Sequence, residues 1–255
     1  MNLQLGQILP YLFSFGLILV RCSGTFVMVP MLGGEILPLR LRGAVATVMA
    51  LTLTPLAGPL AVTSTVELLL AVVGEFLMGL AMGLVLRLVL VSAELAGEAA
   101  GMQMGFAFSR IVDPLSPEPA AVTARLFGSV ATLLLLAIDG HHMMLSGLEA
   151  SLHQAPVGTV LPRALYVATL VPLLSAVTTA GLRIAAPVIV AVLLTNAAIG
   201  LLARAAPQLN LFIFAFGLSI GIGMLMFSSS VTPTVSLLVQ QLRQIGTHLA
   251  AVIGG

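Results

Sequence analysis

The segment Ile138–Met144, Ile-Asp-Gly-His-His-Met-Met, gathers more metal-ligating residue types than any other part of the chain. Asp139 and His142 are three apart and share a helix face, whereas adjacent histidines at 141 and 142 point apart on a helix. Structural zinc takes four ligands, and none is near in sequence to complete the set, so no metal is expected and the segment reads as a polar helix end or subunit contact. Glu94 and Glu98, one turn apart, are of the type that relays protons inside a membrane. A solvated acidic edge of an amphipathic helix accounts for them more simply. His153 and His248 stand alone. No nucleophile-base spacing, phosphate-binding loop or dinucleotide fingerprint occurs, so neither an enzyme nor a bound cofactor is expected.

The elements that carry these residues are apolar. Hydrophobic residues make up 59% of the 255, charged residues 7%, against about 25% charged in soluble domains. The chain is therefore expected to be an all-α integral membrane protein forming a single membrane domain over residues 1–255. Its ten basic residues are all arginine, scattered apart from Arg40 and Arg42, so the basic stripe that binds nucleic acid is missing. Cys22 sits alone in an apolar segment and reads as packing. The uncharged start lacks the basic head and small-residue cleavage site of a signal peptide, and is read as mature chain.

Runs of about 20 apolar residues mark spans: Met1–Val20, continuing to Pro30, Gly43–Val66, Ala164–Leu182, Ile184–Ala203 and Ala205–Leu242. Leu68–Val91 and Leu126–Leu148 are interrupted by charge. About six apolar helical segments result, with kinked or broken helical hairpins expected because Pro172 and Pro187 fall inside the apolar stretch after Ala164. A charge at mid-bilayer costs at least ~2.5 kcal/mol, so Arg21, Glu75, Arg87, Asp139 and Arg183 should face protein or water. Gly79 and Gly83, then Gly97, Gly101 and Gly105, then Gly217 and Gly221 keep the spacing that lets helix backbones touch, within the chain or against other subunits. Arg40, Arg42, Arg110 and Arg204 weakly favour the cytoplasmic side.

Gly105 is followed by a contrasting stretch. Asp113, Pro114, Pro117, Glu118 and Pro119 make a stiff, acidic loop in an otherwise oily chain.

Arg204 to Leu225 resembles the Arg-x-x-Pro-Gln-x-Asn signature of the FliR family of flagellar biosynthetic proteins, with Arg204, Pro207, Gln208 and Asn210 in place. Gly74–Leu84, Glu94–Phe106, Asp113-Pro114, Asp139–His142, Leu161–Leu165 and Ala185–Arg204 also resemble that family, in order, so the likeness covers essentially the whole chain. Where the family usually shows Pro-Leu-Lys, this chain has Gly217, Leu218 and Ser219. The injectisome T-component shares much of the pattern and is an alternative within the resemblance, with the Arg-x-x-Pro-Gln-x-Asn form favouring the flagellar branch.

The resemblance implies a core subunit of the type III protein export gate in the bacterial inner (cytoplasmic) membrane, at the flagellar basal body. It implies a FliP-like part over 1–163 fused to a FliQ-like hairpin part over 164–255, within a helical pore complex. FliP and FliQ are the implied partners, with FlhB and FlhA adjoining, membrane lipid around and unfolded export substrates in transit. It also implies a pore-plugging loop over 106–122, carried by Phe106, Arg110, Asp113, Pro114, Pro117, Glu118 and Pro119. Subunit packing is assigned to Gly79, Gly83, Gly97, Gly101, Gly105, Gln103, Arg204, Pro207, Gln208 and Asn210. A polytopic secondary transporter or permease is the alternative that the residues themselves leave open.

Overall fold

Long stretches without charge, and with few turn-forming residues, leave the backbone no partner in lipid but itself, and helices result. The computed structural model describes residues 5–29, 38–60, 64–106, 122–158, 167–205 and 211–254. The helices are α1 (Leu5–Met28), α2 (Leu39–Ala57), α3 (Thr65–Met104), α4 (Val122–Ala137), α5 (Gly140–Gln154), α6 (Val167–Ala205) and α7 (Leu211–Gly254). No strand occurs among the described residues. Among the described residues five helices are long and apolar enough to cross a membrane, and the count is six if α4 and α5 are one broken span. The protein is an all-α membrane protein, as its composition predicts.

Local chemistry explains the ends. Ser64 accepts the Glu67 backbone N–H at 3.1 Å and caps the start of α3, where the Glu67 carboxylate also suits the positive end of the helix dipole. Arg204 lies in the last turn of α6, the favoured place for a cation.

One expectation is corrected. Ala164–Leu182 and Ile184–Ala203 are not two spans, because α6 runs unbroken from Val167 to Ala205 through both prolines. A proline removes one backbone bond and crowds the preceding turn, which bends a helix without ending it when long apolar flanks continue on both sides. At about 1.5 Å per residue, the 40 residues of α3, 39 of α6 and 44 of α7 are each about twice the ~30 Å hydrocarbon thickness, well beyond one upright crossing.

The chain divides into two compact units. One comprises residues 1–88, 139–173 and 242–255, and the other residues 89–138 and 174–241, so α3 contributes to both. In the first unit α2 lies along α1 and also touches α5. The α2–α3 connection is tied back to α1, since Ser14 Oγ donates to the Gly58 carbonyl at 2.7 Å and Leu60 N–H to the Pro10 carbonyl at 3.2 Å. In the second unit Ala100, Met104, Val188 and Val192 form a buried cluster with Phe106, Ile220 and Phe227 packed against it. Phe127 and Phe227 stack at 4.1 Å between ring centroids.

Candidate functional site

Arg21 on α1 and Glu75 on α3 are both fully buried and paired, with Arg21 Nε 2.5 Å from Glu75 Oε2. Each remaining polar atom of the pair also has a partner. Arg21 Nη1 donates to Ser151 Oγ at 2.9 Å, Nη2 donates to the Ala155 carbonyl at 3.0 Å, and the Gly158 N–H donates to Glu75 Oε1 at 3.0 Å. Ser151 Oγ in turn donates a hydrogen bond to the Leu148 carbonyl at 2.7 Å. The result is a clamp that joins α1, α3, α5 and the turn after α5. A buried ion pair offsets the cost of leaving water only when its spare donors and acceptors are satisfied, and here they are.

Glycines let the clamp close. A side chain on Gly24 would stand 2.6 Å from the Phe76 carbonyl oxygen, and one on Gly79 or Gly83 would run into the backbone of Arg21 or Thr25. The α1 and α3 backbones therefore touch next to the ion pair, over the turns that follow Arg21 and Glu75, which is the contact that small residues permit. Gly158 adopts φ +83, and its position beside the Leu60 side chain leaves its N–H facing Glu75.

The second half of α3 works in the same way within its own unit. Gly97 meets the backbone of Thr123 and Ala124 on α4, while Gly181 of α6 meets the Ser92 carbonyl and Leu95, and Gly223 of α7 meets Met104. Among the described residues, a methyl group on Gly217, Gly221 or Gly200 would meet no atom of another helix within 4 Å. The sequence treats Gly97, Gly101 and Gly105 as one stripe, but the structure divides it. Gly105 has φ +94, its N–H bonds to the Met102 carbonyl, and the Phe106 N–H reaches back to the Gly101 carbonyl at 3.0 Å. These two bonds form a Schellman cap, so Gly105 ends α3 and does not extend its packing face.

Phe106 then anchors the chain against the Ala100–Met104–Val188–Val192 cluster. The acidic, proline-rich loop starts from that anchor. Its residues Arg110, Asp113, Pro114, Pro117, Glu118 and Pro119 lie outside the described residues, as do Pro207, Gln208 and Asn210. Gln103 and Arg204 are exposed and Gly101 is buried. Ser219 is buried and donates to Asn196 Oδ1 at 2.8 Å, linking α6 and α7 without a charge.

The other charges of the apolar runs lie nearer the surface of the chain. Arg87 is half-buried, whereas Asp139 and Arg183 are exposed in the isolated chain. Asp139 is not inside a helix at all: it stands between α4 and α5 with φ 58. That left-handed residue also overturns the expectation that His141 and His142 point apart. Their rings lie 4.3 Å apart between centroids, and both approach the Asp139 carboxylate. A face rule for continuous helix does not apply where the helix is only beginning.

Ser151, Ala155 and Gly158 are the clamp residues that the sequence does not reveal. They are more than 75 positions from their partners, and two of them act through backbone atoms, so residue type carries no signal.

Paired charges, close-packed helices and broad apolar surfaces define the class of this molecule as an all-α polytopic membrane protein. The sequence profile of the family described as bacterial export proteins, family 1, matches residues 12–245, and the chain belongs to that family. It is 31% identical over 207 residues to the flagellar biosynthetic protein FliR of Escherichia coli (strain K12), covering 80% of this chain and 79% of the relative. It is 30% identical over 221 residues to the FliR of Caulobacter vibrioides, covering 85% and 87%. With the FliR of Bacillus subtilis (strain 168) it shares 25% over 220 residues, 84% of each.

Proposed function

We propose that the chain is a core subunit of the flagellar type III protein export gate in the bacterial inner membrane, building the secretion pore with FliP and FliQ beside FlhB and FlhA. The observation that carries this reading is the family match along nearly the whole chain, together with relatives named for flagellar biosynthesis. The distribution of burial supports it. Of the apolar windows in α1 and α3, 44% is buried within the chain, but only 17% in α2, 22% in α6 and 17% in the α7 segment. Helices that show most of their surface, carry unoccupied glycines and exceed the bilayer thickness suit packing against other subunits in a complex that extends beyond the membrane plane.

In this reading the subunit is a conduit part with no catalytic step of its own. Residues 106–122 form the plug: Phe106 fixes one end to packed helices, while the prolines and acids keep the rest stiff and wet enough to fill a pore without fusing to its wall. Unfolded export substrates displace it in transit. Co-expression with FliP and FliQ should yield one detergent-stable assembly containing all three. Deleting Ile111–Pro119 should then leave assembly intact and make the gate leak ions. Recovery of this chain as a free monomer would overturn the assignment to the gate, and unchanged conductance in the deletion would overturn the plug.

A further inference from the structure

We propose that Asp139, His141 and His142 form a binding site for a borderline divalent transition cation, with zinc the best fit to the donors. The inference is independent of the export reading. Asp139 Oδ1 lies 3.5 Å from His142 Nδ1 and 3.9 Å from His141 Nε2, and the three ligand atoms fall within 4.8 Å of one another. Bonds of about 2.0–2.1 Å to a tetrahedral cation set its ligand atoms roughly 3.4 Å apart, so the two contacts to the carboxylate need to close by about half an ångström or less. The third separation closes by rotating side chains that are 43% and 68% exposed and free to move.

The backbone prepares this arrangement. Asp139 precedes α5 at the position where an aspartate ordinarily caps the helix, yet its side chain makes no capping bond. The first-turn N–H groups of His142 and Met143 are taken by the Asp139 carbonyl instead, at 2.9 and 3.2 Å. Its φ of 58 brings the carboxylate round to the two imidazoles. Left-handed backbone at a residue other than glycine is uncommon, and aspartate and asparagine are the types that tolerate it. His141 Nδ1 is closed off from solvent and has no hydrogen-bond partner among the described residues, which leaves Nε2 as the atom of that ring open to a ligand.

Two imidazoles and one carboxylate suit zinc and its neighbours over magnesium or calcium, which take mainly oxygen ligands. Three protein ligands leave a fourth position for water or for a group brought by another molecule. An occupied site would hold the start of α5 in its left-handed entry and add stability through binding.

The test uses the full-length chain, purified in detergent with a tag that contains no histidine. Zinc is titrated against a chromophoric chelator, and cobalt is added separately to read the tetrahedral absorption band. One zinc per chain is expected, with affinity falling at least tenfold in His141→Ala, His142→Ala and Asp139→Asn, and unchanged in His153→Ala. Asparagine keeps the left-handed backbone, so Asp139→Asn removes the ligand and retains the fold. Magnesium should not compete, and acid should weaken binding because protons compete for imidazole. Less than one zinc per wild-type chain, or variants that bind zinc as the wild type does, would overturn the site.

Discussion

Replacing Glu75 by alanine removes one half of the clamp and leaves the other in place. Arg21 would then sit fully buried with its Nε unpartnered, and the Gly158 N–H would lose its acceptor. Breaking a buried pair by deleting one partner costs about 3–5 kcal/mol, so the folded-to-unfolded ratio should fall by roughly two to three and a half powers of ten. Arg21→Met leaves the Glu75 carboxylate buried with one donor, and belongs in the same range. The double variant Arg21→Met with Glu75→Leu removes both charges and fills most of the space, so it should be more stable than either single variant. Each protein would be unfolded by SDS titration in mixed micelles and followed by far-ultraviolet circular dichroism. Glu75→Leu alone, Arg21→Met alone and the double variant close a thermodynamic cycle whose coupling should be favourable by at least about 2 kcal/mol. A Glu75→Ala cost below about 1 kcal/mol, or a double-variant cost equal to the sum of the singles, would refute the view that this pair holds α1, α3 and α5 together.

Further outcomes follow from the glycines and from Ser151. Gly79→Ala forces a methyl group into the Arg21 backbone and should destabilise by about 1–3 kcal/mol in the same titration. Gly217→Ala, with open space around it, should stay within about 0.5 kcal/mol of wild type; under the export-gate proposal, Gly217→Leu should also spare the isolated chain but lower the yield of co-purified assembly. Gly105→Ala strains a φ of +94 and brings a methyl to 3.0 Å from the Phe216 ring, so limited proteolysis should cut faster just after α3. Ser151→Ala strands one Arg21 donor in the interior and should cost about 1–3 kcal/mol, less than loss of Glu75 because the ion pair survives.

Composition alone determined that the chain lies in a membrane and is helical, because lipid offers no other partner for backbone groups. Arg21 and Glu75 were legible as buried charges for the same reason: a charge inside an apolar run must meet protein or water. The family likeness was legible as well, since Arg204, Pro207, Gln208 and Asn210 keep a fixed spacing that neighbouring residues can display without folding. Gly79, Gly83 and Gly97 were legible as close-packing positions, but not their neighbours. The tertiary structure decided that Arg21 and Glu75 belong to each other, that Ser151, Ala155 and Gly158 complete their bonding, and that α6 passes through its prolines. It also decided that Gly105 is a cap and that Asp139 turns its carboxylate to both histidines. Residue type and local period specify what a side chain requires. Which distant group meets that requirement depends on the directions in which the chain returns, and no local period encodes those.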